Sequence, residues 1–318
     1  MARNPYFEGM SNEQYWEQRD KDKNKSLKKK EDKIIKEVQE IYKKAFKEIK
    51  GELYDFYDKY AKENNISMAE AQRGLSPAGI NQMQRKLQEL KSLYDATGDE
   101  KYLMEYKKLS SRAKVTRLTS LLDSINVELS KVTGTVQATM EDYLLGIYSD
   151  EYRELLELLG VKDKFFINDG AVREIVNYPY AGKQFSDRIW NNKDKLINFI
   201  EQDISTSLIR GLSIQKVSKQ LMERLCVLYS ESERLVRTET NYIQNQAHLK
   251  GYETAGQSRY RISAHLDART SDICKKQDRQ VYNIADAIVG VNMPPFHCNC
   301  RSRIVPVVED IKAKYNIK

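Results

Sequence analysis

Between positions 28 and 60, apolar residues recur as Ile34, Val38, Ile41, Ala45, Ile49, Leu53, Phe56 and Tyr60. Steps of three or four place them on one face of a helix, which a strand's period of two cannot do. Lysine and glutamate fill the opposite face. Such a segment folds as a long amphipathic helix whose apolar stripe other helices must cover. The steps do not hold a strict heptad, so antiparallel packing against helices of the same chain is favoured over a coiled-coil seam.

Similar periodicity predicts helices over about 78–96, over 99–132 after a stop at Thr97-Gly98, and over 137–159 ending at Gly160. Ser67 with Glu70 has the spacing of a capping box, and Ser76 before Pro77 marks another helix entry. Turn-forming clusters between 161 and 182 break the pattern and put a boundary there. This divides the chain into a helical interaction region, 1–165, and a second domain, 166–318. Helical spacing resumes over 187–204. It is interrupted at Gly211-Leu-Ser213, where Ser213 caps a helix carrying Ile214, Val217, Leu221 and Leu225, and a further helix covers 230–254 and stops at Gly256.

Beyond Gly256 the period changes. Residues 259–266 alternate like a strand, 280–283 form a second candidate and 303–308 a third, with Pro306 confining the last to an edge or a strand end. The expected class is α+β, mostly α: long N-terminal helices, then a helical module ending in a small antiparallel β-sheet.

Charge narrows the function classes. Of 318 residues, 53 are basic and 46 acidic, a net charge of +7, and most lysines have acidic partners at helical spacing. The charge reads as solvated helix surface rather than an uncompensated phosphate-binding patch. No stretch approaches the roughly 18 apolar residues of a membrane span. The N-terminal residues lack the apolar core of a secretory signal, so residence in a reducing cytosol is expected, and a disulfide framework is not. No phosphate-cradling glycine run occurs.

Three of the four cysteines and two of the three histidines lie between His265 and Cys300. That clustering asks for a local cause. A zinc site could take Cys274, His297 and Cys300, with Cys298 or Asp267 completing the tetrahedron; the spacing lacks a Cys-x-x-Cys pair, and His297 adjoins Cys298. The alternative is a core cysteine pair within a hydrogen-bonding network, in which Asp267 pairs with Arg269 as the strand turns into a Thr270 cap, and Arg301 meets Glu239 or Asp267. A catalytic cysteine with His297 or His265 as base is a third reading. Arg237 and Glu239, two apart on a helix, face different ways and suit helix-to-strand salt bridges.

Several of these residues stand in a recognisable order: Trp190 with Leu196 and Ile200, Gly211-Leu-Ser213 before a short helix, Arg237-Thr-Glu239-Thr-Asn241, Tyr252 and Gly256, Asp267-Ala-Arg269-Thr270 with Cys274, then Pro294-Pro295, His297 and Cys300-Arg301. In order and spacing they resemble the Mu F-like minor head proteins of tailed bacteriophages, the phage head morphogenesis family. The resemblance covers residues 185–308 and extends weakly to the N-terminal helices, where Tyr15-Trp16-Glu-Gln-Arg19 looks like the start of several such proteins. The chain departs from the pattern in three places. Gln277-Asp278-Arg279-Gln280 stands where the family often has an Asp-Gly or Asn-Gly turn, Tyr260 or Ile262 where it often has a strand tryptophan, and Ser302 where many relatives have a last cysteine.

The resemblance implies a non-enzymatic virion component, present in few copies inside the capsid near the portal vertex. Its implied partners are the portal protein and capsid or scaffolding protein, and its implied roles are head assembly and DNA ejection. A second reading is a DNA-contacting protein, zinc-stabilised or not, that guides packaged DNA near the portal; strong salt dependence of DNA binding would mark it. Family members also occur fused to toxin domains; no such domain is expected after Lys318, and an enzymatic role ranks last.

Overall fold

The apolar stripe that opens the chain does form one helix, α1 (Asn12–Glu63), in which Ile34, Val38, Ala45, Ile49, Leu53 and Phe56 are buried. The computed structural model describes residues 12–63, 65, 67–68, 77–112, 115–161, 167–210 and 214–307. Glu70 and Ser76 of the expected helix entries, the Gly211-Leu-Ser213 cap and Val308 lie outside them. After α1 come α2 (Pro77–Thr97) and α3 (Glu100–Arg112), which pack on each other, and then α4 (Val115–Leu158). They are followed by α5 (Asp169–Val176), α6 (Phe185–Arg210) and α7 (Ile214–Thr254). The class is α+β and mostly α, as expected.

Two helices run through breaks that their sequence suggests. The text breaks near Thr133-Gly134-Thr135, yet α4 runs through it, because both threonine hydroxyls donate back to the carbonyls four residues earlier, Leu129 at 2.6 Å and Lys131 at 3.0 Å, instead of capping a new helix. The expected stretches 99–132 and 137–159 are therefore replaced by α3 and α4. The expected break between 225 and 230 is also absent. Leu221, Leu225, Leu228, Ser232 and Leu235 are all buried in steps of three or four, so one stripe carries α7 across the gap.

The predicted helix stops are real ones. Gly160 and Gly256 adopt φ +72 and +69. After each, paired bonds close the helix end: Gly160 N–H to Glu157 O and Val161 N–H to Leu156 O, and likewise Gly256 to Glu253 and Gln257 to Tyr252.

The chain forms two compact units that interleave in sequence: Met1–Val38 with Val136–Ile189 and Glu231–Lys318, and Gln39–Thr135 with Trp190–Ser230. The sequence reading, by contrast, divides the chain once, near residue 165. The second unit is helical in its described residues, with stripes from α1 (Ile49, Leu53, Tyr57), α4 (Ile125, Leu129), α6 (Ile200, Ile204) and α7 (Val217, Leu221) buried.

The first unit contains the sheet. Strands β1 (Arg259–Ser263), β2 (Val281–Asn283) and β3 (Arg303–Pro306) pair antiparallel in the order β2-β1-β3, and a short helix, α8 (Asp272–Gln277), lies between β1 and β2. Each strand is shorter than its alternating text, and Pro306 closes an edge strand. Tyr260 and Ile262, which occupy the place expected for a tryptophan, join Trp16, Leu155, Leu159, Tyr252, Met293 and Ile304 in one apolar cluster. Arg279, where a glycine turn was expected, takes a left-handed φ of +65. The turn geometry is kept without the residue that adopts it most easily.

Candidate functional site

Residues 239–245 of α7 are buried on every side, although five of the seven are polar. Burial is tolerable only where polar atoms are matched, and the matching partner is the outer edge of β3. Asn245, 0% exposed, accepts the Ile304 N–H at 2.9 Å with its Oδ1 and donates from Nδ2 to the Asn241 carbonyl at 2.8 Å. Asn241 Nδ2 donates to the Ser302 carbonyl at 3.0 Å, and Tyr252 Oη–H to the Ile304 carbonyl at 3.3 Å. Side chains of one helix thus take the role of a fourth strand, covering an edge that would otherwise offer unpaired backbone groups. Glu151 of α4 sits under the same helix, accepting from Gln244 at 3.0 Å, His248 at 3.1 Å and Lys23 at 3.2 Å. Burial would raise its pKa, but the His248 hydrogen bond and charge, with Lys23 and Gln244, hold it well below the usual carboxylate range.

Glu239 does not bridge to a strand, nor does it meet Arg301. Its Oε1 accepts from Arg188 of α6 at 2.8 Å and from the Tyr180 hydroxyl at 2.9 Å, while Tyr180 stacks on Tyr242 with ring centroids 4.2 Å apart. Burial pushes the Glu239 carboxyl up to about 7, against the opposing pull of Arg188 and Tyr180. Arg237 pairs with Glu233 one turn earlier at 2.7 Å and lies 4.0 Å from Asp32 of α1. The helix-to-strand bridges read from these two residues are therefore replaced by helix-to-helix and within-helix pairs. A buried segment of α7 meets α6 sooner than it meets charged strand side chains.

Asp267 pairs with Arg301, one of the two partners read for that arginine, more closely than with Arg269. The pair is bidentate, with the two guanidinium nitrogens 2.7 and 2.6 Å from the two carboxylate oxygens. Arg301, with help from the Arg269 N–H that donates to Oδ1 at 2.8 Å, holds the Asp267 carboxyl well below the usual range. The Arg269 guanidinium stands 3.7 Å away. Thr270 is not the helix cap: its hydroxyl donates to the His265 carbonyl at 2.8 Å and accepts the Asp267 N–H at 2.7 Å, which closes the loop. Ser271 is the N-cap of α8, accepting the Cys274 N–H at 3.4 Å.

This cap brings Cys274 to the segment after β2, where the Pro294–Pro295 peptide is cis and both prolines are buried. The Asn299 N–H donates to the Thr238 hydroxyl of α7 at 3.0 Å, and the Cys300 N–H to the His297 carbonyl at 3.2 Å. As a result Cys274 Sγ lies 3.1 Å from His297 Nε2 and 3.7 Å from Cys300 Sγ. The three candidate ligand atoms are all within 4.8 Å of one another. Cys298, the residue that was to complete a tetrahedron, is exposed, and Asp267 is engaged by Arg301. Cys300, hydrogen-bonded to Cys274, together with Ser271, Ser302 and His297, draws the Cys274 thiol down against its burial, while the same contact and burial push Cys300 up. His265 stands apart from both thiols, 3.8 Å from Asp267.

Residues 198–305 match the family model described as Phage Mu protein F like protein. Over those residues the chain is similar to the Mu F-like phage proteins. The matched segment holds the second half of α6, all of α7, the sheet but for Pro306, and every residue of the Cys/His cluster. At the level of whole chains, the protein is 23% identical over 272 residues to the Minor head protein GP7 of Bacillus phage SPP1, covering 79% of this chain and 86% of that protein. It is also 28% identical over 201 residues to an NAD(+)–arginine ADP-ribosyltransferase of Enterococcus faecalis, covering 55% of this chain. The chain spans 41% of that relative's length. No solved structure matches it. Among the described residues, no helix is long and apolar enough to cross a membrane.

Sequence reasoning did not single out Asn245, Tyr180, Arg188 or Ser271. A signal for Asn245 was available: on α7 it follows Asn241 by one turn and precedes Tyr252 by about two, a polar row at helical spacing where an amphipathic helix should be apolar. No such signal exists for Arg188 and Tyr180, which meet Glu239 only across tertiary packing.

Proposed function

We propose that this protein is a minor head protein of a tailed phage, incorporated in few copies inside the capsid at the portal vertex, where it acts in head assembly and in DNA ejection. The observation that carries this reading is the similarity along 86% of the SPP1 minor head protein, supported by the Mu F-like match over residues 198–305. Its role is structural, and its partners are the portal protein and capsid or scaffolding protein. The unit that contains the sheet is suited to be the anchor, because its sheet edge is covered, its loop is tied by Asp267 and Arg301, and residues 239–245 of its central helix are buried. The helical unit is suited to docking: Val127, Met222 and Val227 point apolar side chains outward from helices, as a partner's groove requires.

The test is quantitative mass spectrometry of purified particles and procapsids, counting this chain against portal and major capsid protein. A small, fixed number of copies per portal in both is expected. Finding the chain only in the lysate, and in neither particle, would overturn the virion role.

A further inference from the structure

Cys274, His297 and Cys300 converge from two separate pieces of chain, and each piece is tied down independently of the cluster. Cys274 stands in the first turn of α8 under the Ser271 cap. His297 and Cys300 belong to a loop held to α7 by Thr238 and to the β1–α8 loop by Arg301. The sulfur–sulfur separation of 3.7 Å is the edge of a tetrahedron with metal–sulfur bonds of about 2.3 Å, which measures about 3.8 Å. His297 is oriented for the same centre: its Nδ1–H donates to the Cys298 carbonyl at 2.7 Å, which leaves Nε2 as an acceptor 2.8 Å from the Ser271 hydroxyl and 3.1 Å from Cys274 Sγ. A backbone carbonyl on the far nitrogen is the usual support of a metal-bound imidazole. Ser302, 1% exposed, brings its hydroxyl beside Cys274 at the same centre.

We propose that this cluster is a zinc site, with Cys274 Sγ, Cys300 Sγ and His297 Nε2 as ligands and a water completing the tetrahedron beside Ser271 and Ser302. Two thiolates and an imidazole select a borderline-soft ion over magnesium or calcium. Binding releases the thiol protons and ties α8 to the loop that leads into β3, so metal and local folding are coupled. The proposal does not depend on the virion role.

The test uses the full chain, purified without a histidine tag under reducing conditions, with bound metal measured by elemental analysis. About one zinc per chain is expected. Cys300→Ser and His297→Ala should lose it, while Cys226→Ser and Cys298→Ser should keep it. Because the first two variants also remove buried contacts, the unmodified chain is stripped and titrated with Co2+, which should give the intense visible bands of a tetrahedral site and a thiolate-to-cobalt band in the near ultraviolet. The proposal is overturned if chain with all four thiols free takes up neither metal, if Cys298→Ser loses zinc as completely as Cys300→Ser, or if reduced preparations contain a Cys274–Cys300 disulfide in place of metal.

Discussion

Replacing Asn245 tests whether side chains of α7 truly substitute for a missing strand. In Asn245→Ala the Ile304 N–H, buried in the core, loses its acceptor, and an orphaned buried donor costs about 1–3 kcal/mol. The lost contact with the Asn241 carbonyl and the small void add about 1 kcal/mol, for a total of about 2–4 kcal/mol. Asn245→Asp is a sharper probe. Its carboxylate still accepts from Ile304, but it turns a second oxygen toward the carbonyls of Asn241 and Ser302, which lie 2.8 and 3.5 Å from the present donor. That variant should be strongly destabilised at neutral pH and recover as pH falls, because a protonated acid can donate again. The assay is urea unfolding combined with hydrogen exchange read by mass spectrometry on peptides covering 302–306. Exchange there should accelerate in both variants at neutral pH. Asn245→Ala within about 0.5 kcal/mol of the parent, the range of an ordinary surface change, with unchanged exchange at β3, would refute the argument.

Two further outcomes follow from the same physics. Glu239 has a folded pKa of about 7 against 4.5 for the free group, raised by burial, so the folded state holds its proton more tightly. Its contribution to stability is full below about 4.5, falls as pH rises towards 7 and is flat above. Glu239→Gln should therefore flatten the decline of Tm across this window, leaving the part due to Glu31, which burial also pushes up to about 7; an identical decline in both chains would count against the assignment. Arg279→Gly should raise stability by about 0.5–1 kcal/mol, because glycine takes the φ of +65 without the left-handed strain, less its larger unfolded-state entropy. A lower Tm in that variant would mean that the arginine side chain outweighs the backbone.

The places where sequence and structure part have physical causes. Thr133-Gly134-Thr135 and the stretch after Leu225 look like breaks because threonine, serine and glycine are the residues that end helices. Within α4 and α7 the neighbouring apolar residues are buried on both sides of each gap, and packing along a continuous stripe outweighs a weak local preference. Thr270 and Ser271 are adjacent cap-type residues, and which one caps α8 depends on where the Thr270 hydroxyl finds its partners, His265 and Asp267. The pairing of Asp267 with Arg301, by contrast, was legible as one of two options, since each carries a charge that a loop must place somewhere.

By itself the sequence determined the helical periods, the glycine stops at 160 and 256, the three strand candidates and the gathering of cysteine and histidine between His265 and Cys300. These are local properties, set by side-chain period and backbone freedom over a few residues. Only the tertiary structure decided that Glu239 meets Arg188 and Tyr180, that Asn241 and Asn245 cover the edge of β3, and that Cys274, His297 and Cys300 meet while Cys298 turns to solvent. Each of those contacts joins residues that are distant in sequence or differ only in the direction they face, and packing settles which of the available partners comes within reach.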